Sequence, residues 1–319
     1  MSLTKSSTNK QNLIKSLAKK PSNRTTEADD LHFYSSFKKL IDPIKFTQRM
    51  ADKIQKFVTK IVINIPIVSD YYYYYWYFFR HVSYRGIFNT YSEALKALPS
   101  GSRISHSQPE IHNHPSVAQL TTRRELGKLD LIDYPMIFWL KSAFNDSSTV
   151  FDLGGNVGVS YYACRKYLQY PSNLRWLVCE LPELIIAGEK LAREIDSPGL
   201  SFTRDFAKAE GMDILLTVGT LQYLELSLAD ILGELKVKPR HILINHTPFY
   251  EGESFITLQN IGYAFSPYKI QNRIQFLTSL TSIGYEVIDS WKLNRTCSIP
   301  FHPERFVHNY YGFYLRLSE

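Results

Sequence analysis

The chain has 319 residues, of which 44% are hydrophobic, and a formal net charge of +7, so it is long enough for a full α/β domain and a smaller partner region. Its three cysteines are widely spaced and its first 20 residues are polar, which argues against a disulfide framework and a secretory signal and predicts a cytoplasmic protein. Residues 1–60 hold thirteen Lys and Arg against five Asp and Glu, and a basic excess confined to this arm does not favour a nucleic-acid partner.

The first 145 residues are predicted to be organised separately from the rest. Residues 1–30, rich in Ser, Thr, Asn and Lys, are predicted to stay a disordered basic tail. Residues 31–145 are predicted to form a mainly helical cap that begins with two basic amphipathic helices within 31–62, separated at Pro43. These helices fit two interpretations: packing of their apolar faces on the rest of the protein, or peripheral contact with an anionic membrane surface.

An aromatic tract and three histidines complete this region. The tract from Tyr71 to Phe79 fits either a buried helix or a surface for a ligand or partner, and too many polar residues lie around it for a membrane span. His106, His112 and His114 lie in a proline-containing stretch without a matching set of cysteines or carboxylates. A structural loop is therefore predicted there, and no metal site.

The stretch from Thr149 to Gly158 carries the main functional signal. An apolar strand, Thr149–Leu153, contains Asp152 and runs into a glycine turn, and a helical pattern follows from Val159. The unpaired N–H groups at the start of such a helix favour a carboxylate or a phosphate. A nicotinamide dinucleotide is disfavoured, because Leu153 stands where its glycine fingerprint needs the first glycine.

Alternating strands and helices are predicted for the remaining chain. A helix is predicted over 269–283, with Ile270, Ile274, Leu277 and Leu280 on one face. The strand candidates after the glycine turn are 175–180, 201–206, 212–218, 241–245, 285–291 and 306–317.

The segment Asp152-Leu153-Gly154-Gly155-Asn156-Val157-Gly158 resembles the first motif of class I S-adenosylmethionine (SAM)-dependent methyltransferases. Asn156 stands where the common pattern has a glycine, and asparagine tolerates the left-handed backbone that such a turn needs. The resemblance covers about residues 145–319. It implies an α/β, Rossmann-like fold with a mostly parallel seven-stranded sheet, helices on both faces and a closing antiparallel pair, here a domain of residues 146–319.

The resemblance implies SAM as the cofactor. The methionine carboxylate is expected near the glycine turn, ribose on Glu180, and adenine beside Asp205 and Phe206. Asp152 also fits a simpler role, as an acid that caps its own turn. The full set of predicted cofactor residues is Asp152, Gly154, Gly155, Asn156, Gly158, Glu180, Leu181, Asp205, Phe206 and Gly219.

The candidate catalytic residue is His246, just after the fifth parallel strand. Plant-type small-molecule O-methyltransferases often carry a histidine base after the fourth strand, but the matching residue here is Gln222, which cannot take a proton at neutral pH. His246 also fits a solvated loop histidine. The predicted substrate-binding residues, each of which also fits a packing role, are Gln222, Tyr223, Tyr250, Tyr268 and Arg273.

A second resemblance narrows the acceptor. The segments 84–88, 133–136 and 257–260 are similar to bacterial proteins described only by their likeness to methyltransferases, some of which lie among polysaccharide-biosynthesis genes. The prediction is therefore methyl transfer to an oxygen or nitrogen atom of a small molecule or glycan. Two alternatives stay open: a catalytically inactive binding protein, favoured by Asn156 and Gln222, and a Rossmann-type oxidoreductase or nucleotide-sugar enzyme.

Overall fold

A computed structural model describes residues 83–98, 129–261 and 264–318. All of them belong to one compact unit, Asn64–Glu319. The predicted basic tail, the amphipathic helices of 31–62, the aromatic tract and the three histidines lie outside the described residues. Within the described ranges, no helix is both long enough and apolar enough to cross a membrane.

Ten strands and six α-helices make up the described part of the chain. In chain order they are β1 (Ser83–Phe88), α1 (Tyr91–Lys96), α2 (Tyr134–Ala143), β2 (Thr149–Leu153), α3 (Val159–Cys164), β3 (Arg175–Cys179), α4 (Pro182–Ile195), β4 (Leu200–Thr203), β5 (Ile214–Val218), α5 (Leu228–Gly233), β6 (His241–Tyr250), β7 (Phe255–Asn260), β8 (Phe265–Asn272), α6 (Arg273–Thr281), β9 (Tyr285–Leu293) and β10 (Tyr310–Leu317). Short 3₁₀ helices lie at Leu131–Asp133, Phe206–Ala209, Leu221–Tyr223 and Pro303–Arg305.

Seven strands form the main sheet in the order β4-β3-β2-β5-β6-β10-β9. The first five are parallel, and β10 runs antiparallel to both β6 and β9. This is the Rossmann-like class I methyltransferase fold, with the closing antiparallel pair that the sequence predicted. The strand order reverses between β2 and β5, and in such sheets ligands bind at the carboxyl ends of the strands beside this reversal.

Two apolar cores cover the two faces of this sheet. Residues of α5 and α6, such as Leu232 and Phe276, pack on one face. Residues of α2, α3 and α4, such as Leu140 and Leu191, pack on the other. Because β2 and β5 have strands on both sides and helices on both faces, every residue of β2 and four of the five in β5 are buried, which explains their nearly continuous apolar sequences.

A three-stranded antiparallel extension, β1-β7-β8, was not predicted. It joins the main sheet where Phe249 and Tyr250 at the end of β6 pair with Gln271 and Asn272 of β8. Residues 83–88, which the sequence analysis placed in a mainly helical cap, form the edge strand of this extension. The extension lies at the carboxyl end of β6, next to the edge where a ligand is expected.

Several element boundaries differ from the prediction, and the strand predicted over 201–206 is Leu200–Thr203, with Phe206 already in a 3₁₀ helix. The helix predicted from residue 269 begins at Arg273, because β8 continues to Asn272 and the Asn272 side chain then caps the helix by accepting a hydrogen bond from the Gln275 N–H. β6 extends five residues beyond the predicted strand, and β10 begins at Tyr310. The division of the chain at residue 145 stays a prediction, and α2, which precedes it, packs on the main sheet.

Candidate functional site

The predicted cofactor residues lie at the carboxyl ends of adjacent parallel strands. Asp152 is the penultimate residue of β2, Glu180 follows β3 directly, and Asp205 lies two residues after β4. Gly219 follows β5. Parallel strands carry these residues to one edge of the sheet, on both sides of the β2–β5 reversal.

Asp152 is completely buried, and only one of its two carboxylate oxygens has a hydrogen-bond partner in the described part of the chain. The indole Nε1 of Trp176 donates a hydrogen bond of 3.1 Å to Oδ2, whereas Oδ1 has no hydrogen-bond partner among the described residues. Burial raises the pKa of the Asp152 carboxyl to about 7. An unpartnered buried acceptor is unusual in a folded protein, so this oxygen is suited to a donor that a ligand supplies.

The glycine turn has the left-handed backbone predicted at Asn156, and two of its glycines pack closely against neighbouring side chains. Asn156 has φ of 55° and Gly154 has φ of 74°, so asparagine does take the left-handed conformation here. A Cβ on Gly154 would lie 2.1 Å from Oγ1 of Thr220, and one on Gly155 would lie 2.5 Å from Cγ of Asp152. These two glycines therefore leave room for the protein's own side chains.

Glu180 is fixed by backbone donors from two directions. Its carboxylate accepts hydrogen bonds from the N–H of Leu181, at 2.7 Å, and from the N–H of Asn156. Burial raises the pKa of the Glu180 carboxyl, and both hydrogen bonds oppose this rise. The acid is thus held beside the glycine turn, and the contribution of Leu181 comes from its backbone.

Asp205 and Phe206 lie at the open edge of this site. The Asp205 carboxylate accepts a hydrogen bond of 3.0 Å from the Ala207 N–H and so caps the 3₁₀ helix Phe206–Ala209. The Phe206 ring is a large apolar group left 37% exposed. A flat exposed ring next to a carboxylate is compatible with contact to an aromatic base.

Gly219 lies between the tips of β5 and β6, where two side chains approach it. It has φ of 69°, and the atoms nearest to a Cβ placed on it, Nε2 of Gln222 and Cβ of His246, are both 3.7 Å away. The Gln222 side chain is buried, donates a 2.6 Å hydrogen bond to the Gly219 carbonyl, and leaves its Oε1 without a partner among the described residues. The structure therefore brings predicted cofactor, substrate and catalytic residues together at this point.

His246 is paired with a carboxylate that the sequence analysis did not select as a site residue. Its Nε2 lies 2.9 Å from Oδ1 of Asp133, and the same oxygen accepts a 3.0 Å hydrogen bond from Nδ2 of Asn245. Both the histidine and the aspartate are mostly buried. Asp133 is 113 residues away in sequence, so no local pattern could have joined the two, although Asp133 lies in one of the segments with a family resemblance.

A β-bulge makes this arrangement possible. Tyr311 pairs with Thr247 and Phe313 with Ile244, so Asn245 and His246 together oppose only Gly312. Consecutive side chains of a regular strand point to opposite faces, whereas a bulge re-aims one of them. Asn245 and His246 can therefore both reach Asp133, and His246 takes a left-handed backbone with φ of 57°.

The remaining predicted substrate residues do not converge on His246. Tyr268 is buried, with its hydroxyl 2.9 Å from that of Tyr310. Tyr223 donates a 2.7 Å hydrogen bond to Oε1 of Gln259 in the extension, Tyr250 donates to the carbonyl of Glu304, and Arg273 pairs with Glu251 at 3.0 Å. Each of these side chains has a structural partner in the extension or near it.

A separate pocket of about 340 Å³ lies beyond the end of β6. Phe249, one of its walls, packs on Phe276 of α6, whereas His246 turns toward Asp133, next to α2. The pocket is therefore on the α6 face, away from the His246 pair. Its lining residues are Phe249, Tyr250, Glu251, Gly252, Pro303, Glu304, Phe306, His308, Asn309 and Tyr311.

No protein-family profile matches the chain, and no curated protein matches it in sequence. Among solved structures, the chain is similar to the N-terminal domain of EvdMO1 with S-adenosylhomocysteine (SAH) bound, at 13% identity over 60% of this chain and 83% of that one, with a TM-score of 0.42. It is also similar to Burkholderia thailandensis 1,6-didemethyltoxoflavin-N1-methyltransferase with bound SAH, at 14% identity over 70% of this chain and 98% of that one, with a TM-score of 0.42. The mitomycin 7-O-methyltransferase MmcR matches at 16% identity over 66% and 60%, with a TM-score of 0.39. At such low similarity, the strand order of the main sheet remains the basis for assigning the fold.

Proposed function

We propose that this protein is a SAM-dependent methyltransferase that moves a methyl group to an oxygen or nitrogen atom of a small molecule or glycan. The observation that carries the proposal is Asp152, a buried carboxylate with an unpartnered oxygen, at the strand-order reversal of a class I methyltransferase sheet. Retaining such a group lowers the stability of the fold unless a ligand supplies the missing hydrogen bond.

The residues present fit this cofactor. The N–H groups of the turn from Gly155 to Gly158 suit the methionine carboxylate, and the unpartnered oxygen of Asp152 suits the ammonium. Glu180 suits the ribose hydroxyls, because a carboxylate accepts from two vicinal hydroxyls. Asp205 and Phe206 then lie next to the adenine.

The site would promote transfer mainly by alignment and by excluding water. When bound, SAM supplies a methyl group on a positively charged sulfur, which keeps the electron pair of the broken C–S bond and leaves as a thioether. His246, which lies beside Gly219 at the tips of β5 and β6, would take the proton that a hydroxyl acceptor loses.

The pair of His246 and Asp133 favours a hydroxyl acceptor over an amine. An unprotonated amine attacks without prior loss of a proton, whereas a hydroxyl must lose its proton close to the transition state. A histidine backed by a carboxylate serves the second reaction. Sugar hydroxyls are such acceptors, which keeps glycans among the first compounds to screen.

Calorimetric titration tests the proposal. We expect SAM and SAH to bind the wild-type protein with micromolar Kd, NAD to give no signal, and Asp152→Ala to abolish the binding of SAM and SAH. Glu251→Gln, which removes a carboxylate on the other face of the sheet, is the control and should bind as the wild type does. Binding of NAD without SAM would overturn the proposal in favour of a Rossmann-type oxidoreductase.

A catalytically inactive binding protein is the second candidate, favoured by Gln222 at the position where plant-type enzymes carry their base. It predicts SAH affinity without turnover. Incubation with SAM and a panel of mono- and oligosaccharides, followed by mass spectrometry of SAH and of methylated products, separates the two. Methylated product that is lost in His246→Gln would exclude the inactive candidate.

A further inference from the structure

Four side chains form a hydrogen-bonded chain that ends on His246. Nε1 of Trp291 donates to Oδ1 of Asn245 at 3.0 Å, Nδ2 of Asn245 donates to Oδ1 of Asp133 at 3.0 Å, and Nε2 of His246 lies 2.9 Å from that oxygen. We infer that Trp291, Asn245 and Asp133 fix His246 with a hydrogen on Nε2 and a free lone pair on Nδ1, so that Nδ1 is the atom that removes the acceptor's proton. The inference rests on the proposed methyl transfer.

Trp291 determines which groups donate and which accept along this series of hydrogen bonds. An indole N–H is a donor only, so the atom of Asn245 that faces it must be the amide oxygen. The amide nitrogen of Asn245 therefore faces Asp133 and can only donate to it. The orientation of this amide, which is otherwise ambiguous, is fixed by its partners at both ends.

The Asp133 carboxylate accepts a hydrogen bond at each of its two oxygens. Nδ2 of Asn245 donates to Oδ1, near which Nε2 of His246 also lies, and the backbone N–H of Asp130 donates to Oδ2 at 3.1 Å. This is the environment of an ionised carboxylate, which only accepts. The histidine nitrogen that faces it must then carry a hydrogen, and in the neutral ring the other nitrogen is the acceptor.

Nδ1 is then the ring nitrogen left for the acceptor. His246 lies beside Gly219 at the tip of β5, where its Cβ is 3.7 Å from the position that a Cβ on Gly219 would take. Within the described residues, the only hydrogen bond of the ring is the one from Nε2. During transfer, the acceptor oxygen forms the new C–O bond, its proton moves to Nδ1, and Asp133 stabilises the resulting imidazolium.

Two further features hold these four hydrogen-bonded side chains in place. The bulge puts Asn245 and His246 on the same side of β6, and the Trp291 ring lies directly over Gly312, where a Cβ would be 2.1 Å from the indole. A left-handed backbone at a histidine is strained and persists only where the surroundings enforce it. The strain at His246 is therefore retained together with this set of hydrogen bonds.

Nitrogen NMR of protein labelled with ¹⁵N-histidine tests the inference, because the two ring nitrogens of each tautomer have distinct shifts. The chain has nine histidines, and the difference from His246→Gln assigns the relevant ring. At pH 8 we expect His246 to favour the Nε2–H tautomer by about ten to one or more, since a hydrogen bond to a charged group contributes about 1.5–3 kcal/mol. Asp133→Asn should reduce this ratio to near unity or invert it, and Trp291→Phe should reduce it less.

Trp139→Phe is the matched control. It removes an indole N–H that donates to Asp289 at 2.7 Å, outside the chain that ends on His246, and should leave the His246 ratio unchanged. An Nδ1–H tautomer in the wild-type protein, or a ratio unaffected by both Asp133→Asn and Trp291→Phe, would overturn the inference. Calorimetry with SAH on the same proteins reports on the proposed function separately, because a correct tautomer without SAH binding would defeat only that proposal.

Discussion

At the scale of single residues, Asp152 shows a conflict between stability and binding. Burial raises the pKa of its carboxyl from an ordinary value of 3.8 to about 7. Between these two values the folded protein holds a proton that the unfolded chain has released, so the contribution of Asp152 to stability declines as the pH rises through this window. Above about pH 7 the ionised carboxylate is buried in the fold at a cost on the order of 4 kcal/mol.

We predict that Asp152→Asn becomes more stable relative to the wild type as the pH rises. The asparagine keeps an acceptor for Trp176 and cannot ionise, so the difference in Tm should be small near pH 5 and should favour the variant near pH 8. Differential scanning calorimetry at both pH values measures it. SAH affinity should fall in the same variant, and a pH-independent difference in Tm would show that Asp152 ionises freely in the fold.

Two glycines at the site should respond differently to alanine. Gly154→Ala should lose several kcal/mol of stability, because its φ is positive and the new Cβ would overlap Thr220. Gly219→Ala should lose only about 1–2 kcal/mol from backbone strain, because a Cβ there would make only ordinary van der Waals contacts, at 3.7 Å. The second variant should nevertheless bind SAH at least about tenfold more weakly, a loss of about 1.4 kcal/mol. Chemical denaturation measures the stability of both variants, and calorimetry measures their SAH affinity. Equal stabilities would contradict the difference in packing around the two Cβ positions.

At the scale of elements, the bulge in β6 is the feature that builds the candidate base. A strand predicted from an apolar run is expected to alternate regularly, and nothing in the five residues of the predicted strand signals an extra residue. The bulge depends on contacts with β10 and β9, where Gly312 leaves room for the Trp291 ring. Sequence analysis therefore identified His246 as a candidate but could not find Asp133 or the direction of the ring.

We predict that Gly312→Ala disturbs the bulge. Its Cβ would lie 2.1–2.4 Å from three atoms of the Trp291 ring, so the ring must move and lose its bond to Asn245, at a cost of about 1–3 kcal/mol. Tryptophan fluorescence and Tm should both change. Gly233→Ala is the control, since it has no atom within 4 Å and ends α5, where alanine should be neutral or stabilise by up to about 1 kcal/mol. Equal effects of the two would count against the packing described for Trp291.

The surroundings of each element explain which elements could be predicted from the sequence. The buried parallel strands were found because their neighbours on both sides require continuous apolar runs. The first strand of the extension was assigned to a helical cap, because a short edge strand has no such run. The start of α6 was misplaced because Ile270 fits the helical spacing of Ile274, Leu277 and Leu280, although Ile270 lies in β8 and pairs with Phe255 of β7.

At the scale of the whole molecule, the main sheet and its extension share β6. Each of the three cores also contains one buried cysteine: Cys179 between the sheet and α5–α6, Cys164 between the sheet and α2–α4, and Cys297 in the core of the extension. Burial raises the pKa of all three thiols to about 12. Because the thiolate is the reactive form, the folded protein should resist thiol reagents in all three cores.

We predict that the three thiols react together and only on unfolding. β6 runs through both sheets, so we expect the extension to open only when the main sheet does. Labelling with a maleimide at increasing urea concentration, followed by peptide mass spectrometry, should give one midpoint for all three residues. Earlier modification of Cys297 alone would show that the extension unfolds separately.

The bulge in β6 also changes which alternate residues of this strand face α6. Before it, the even-numbered Ile242 and Ile244 face α6 and the odd-numbered Leu243 faces the opposite core, whereas after it the odd-numbered Phe249 faces α6. Deleting one of the two bulged residues would restore a single alternation from His241 to Tyr250 while the residues after it keep their pairing with β10, so Phe249 would still face Phe276. The extra residue thus turns His246 toward Asp133 without changing which side chains join the aromatic core, and a relative without it could keep the same sequence along the distal half of β6.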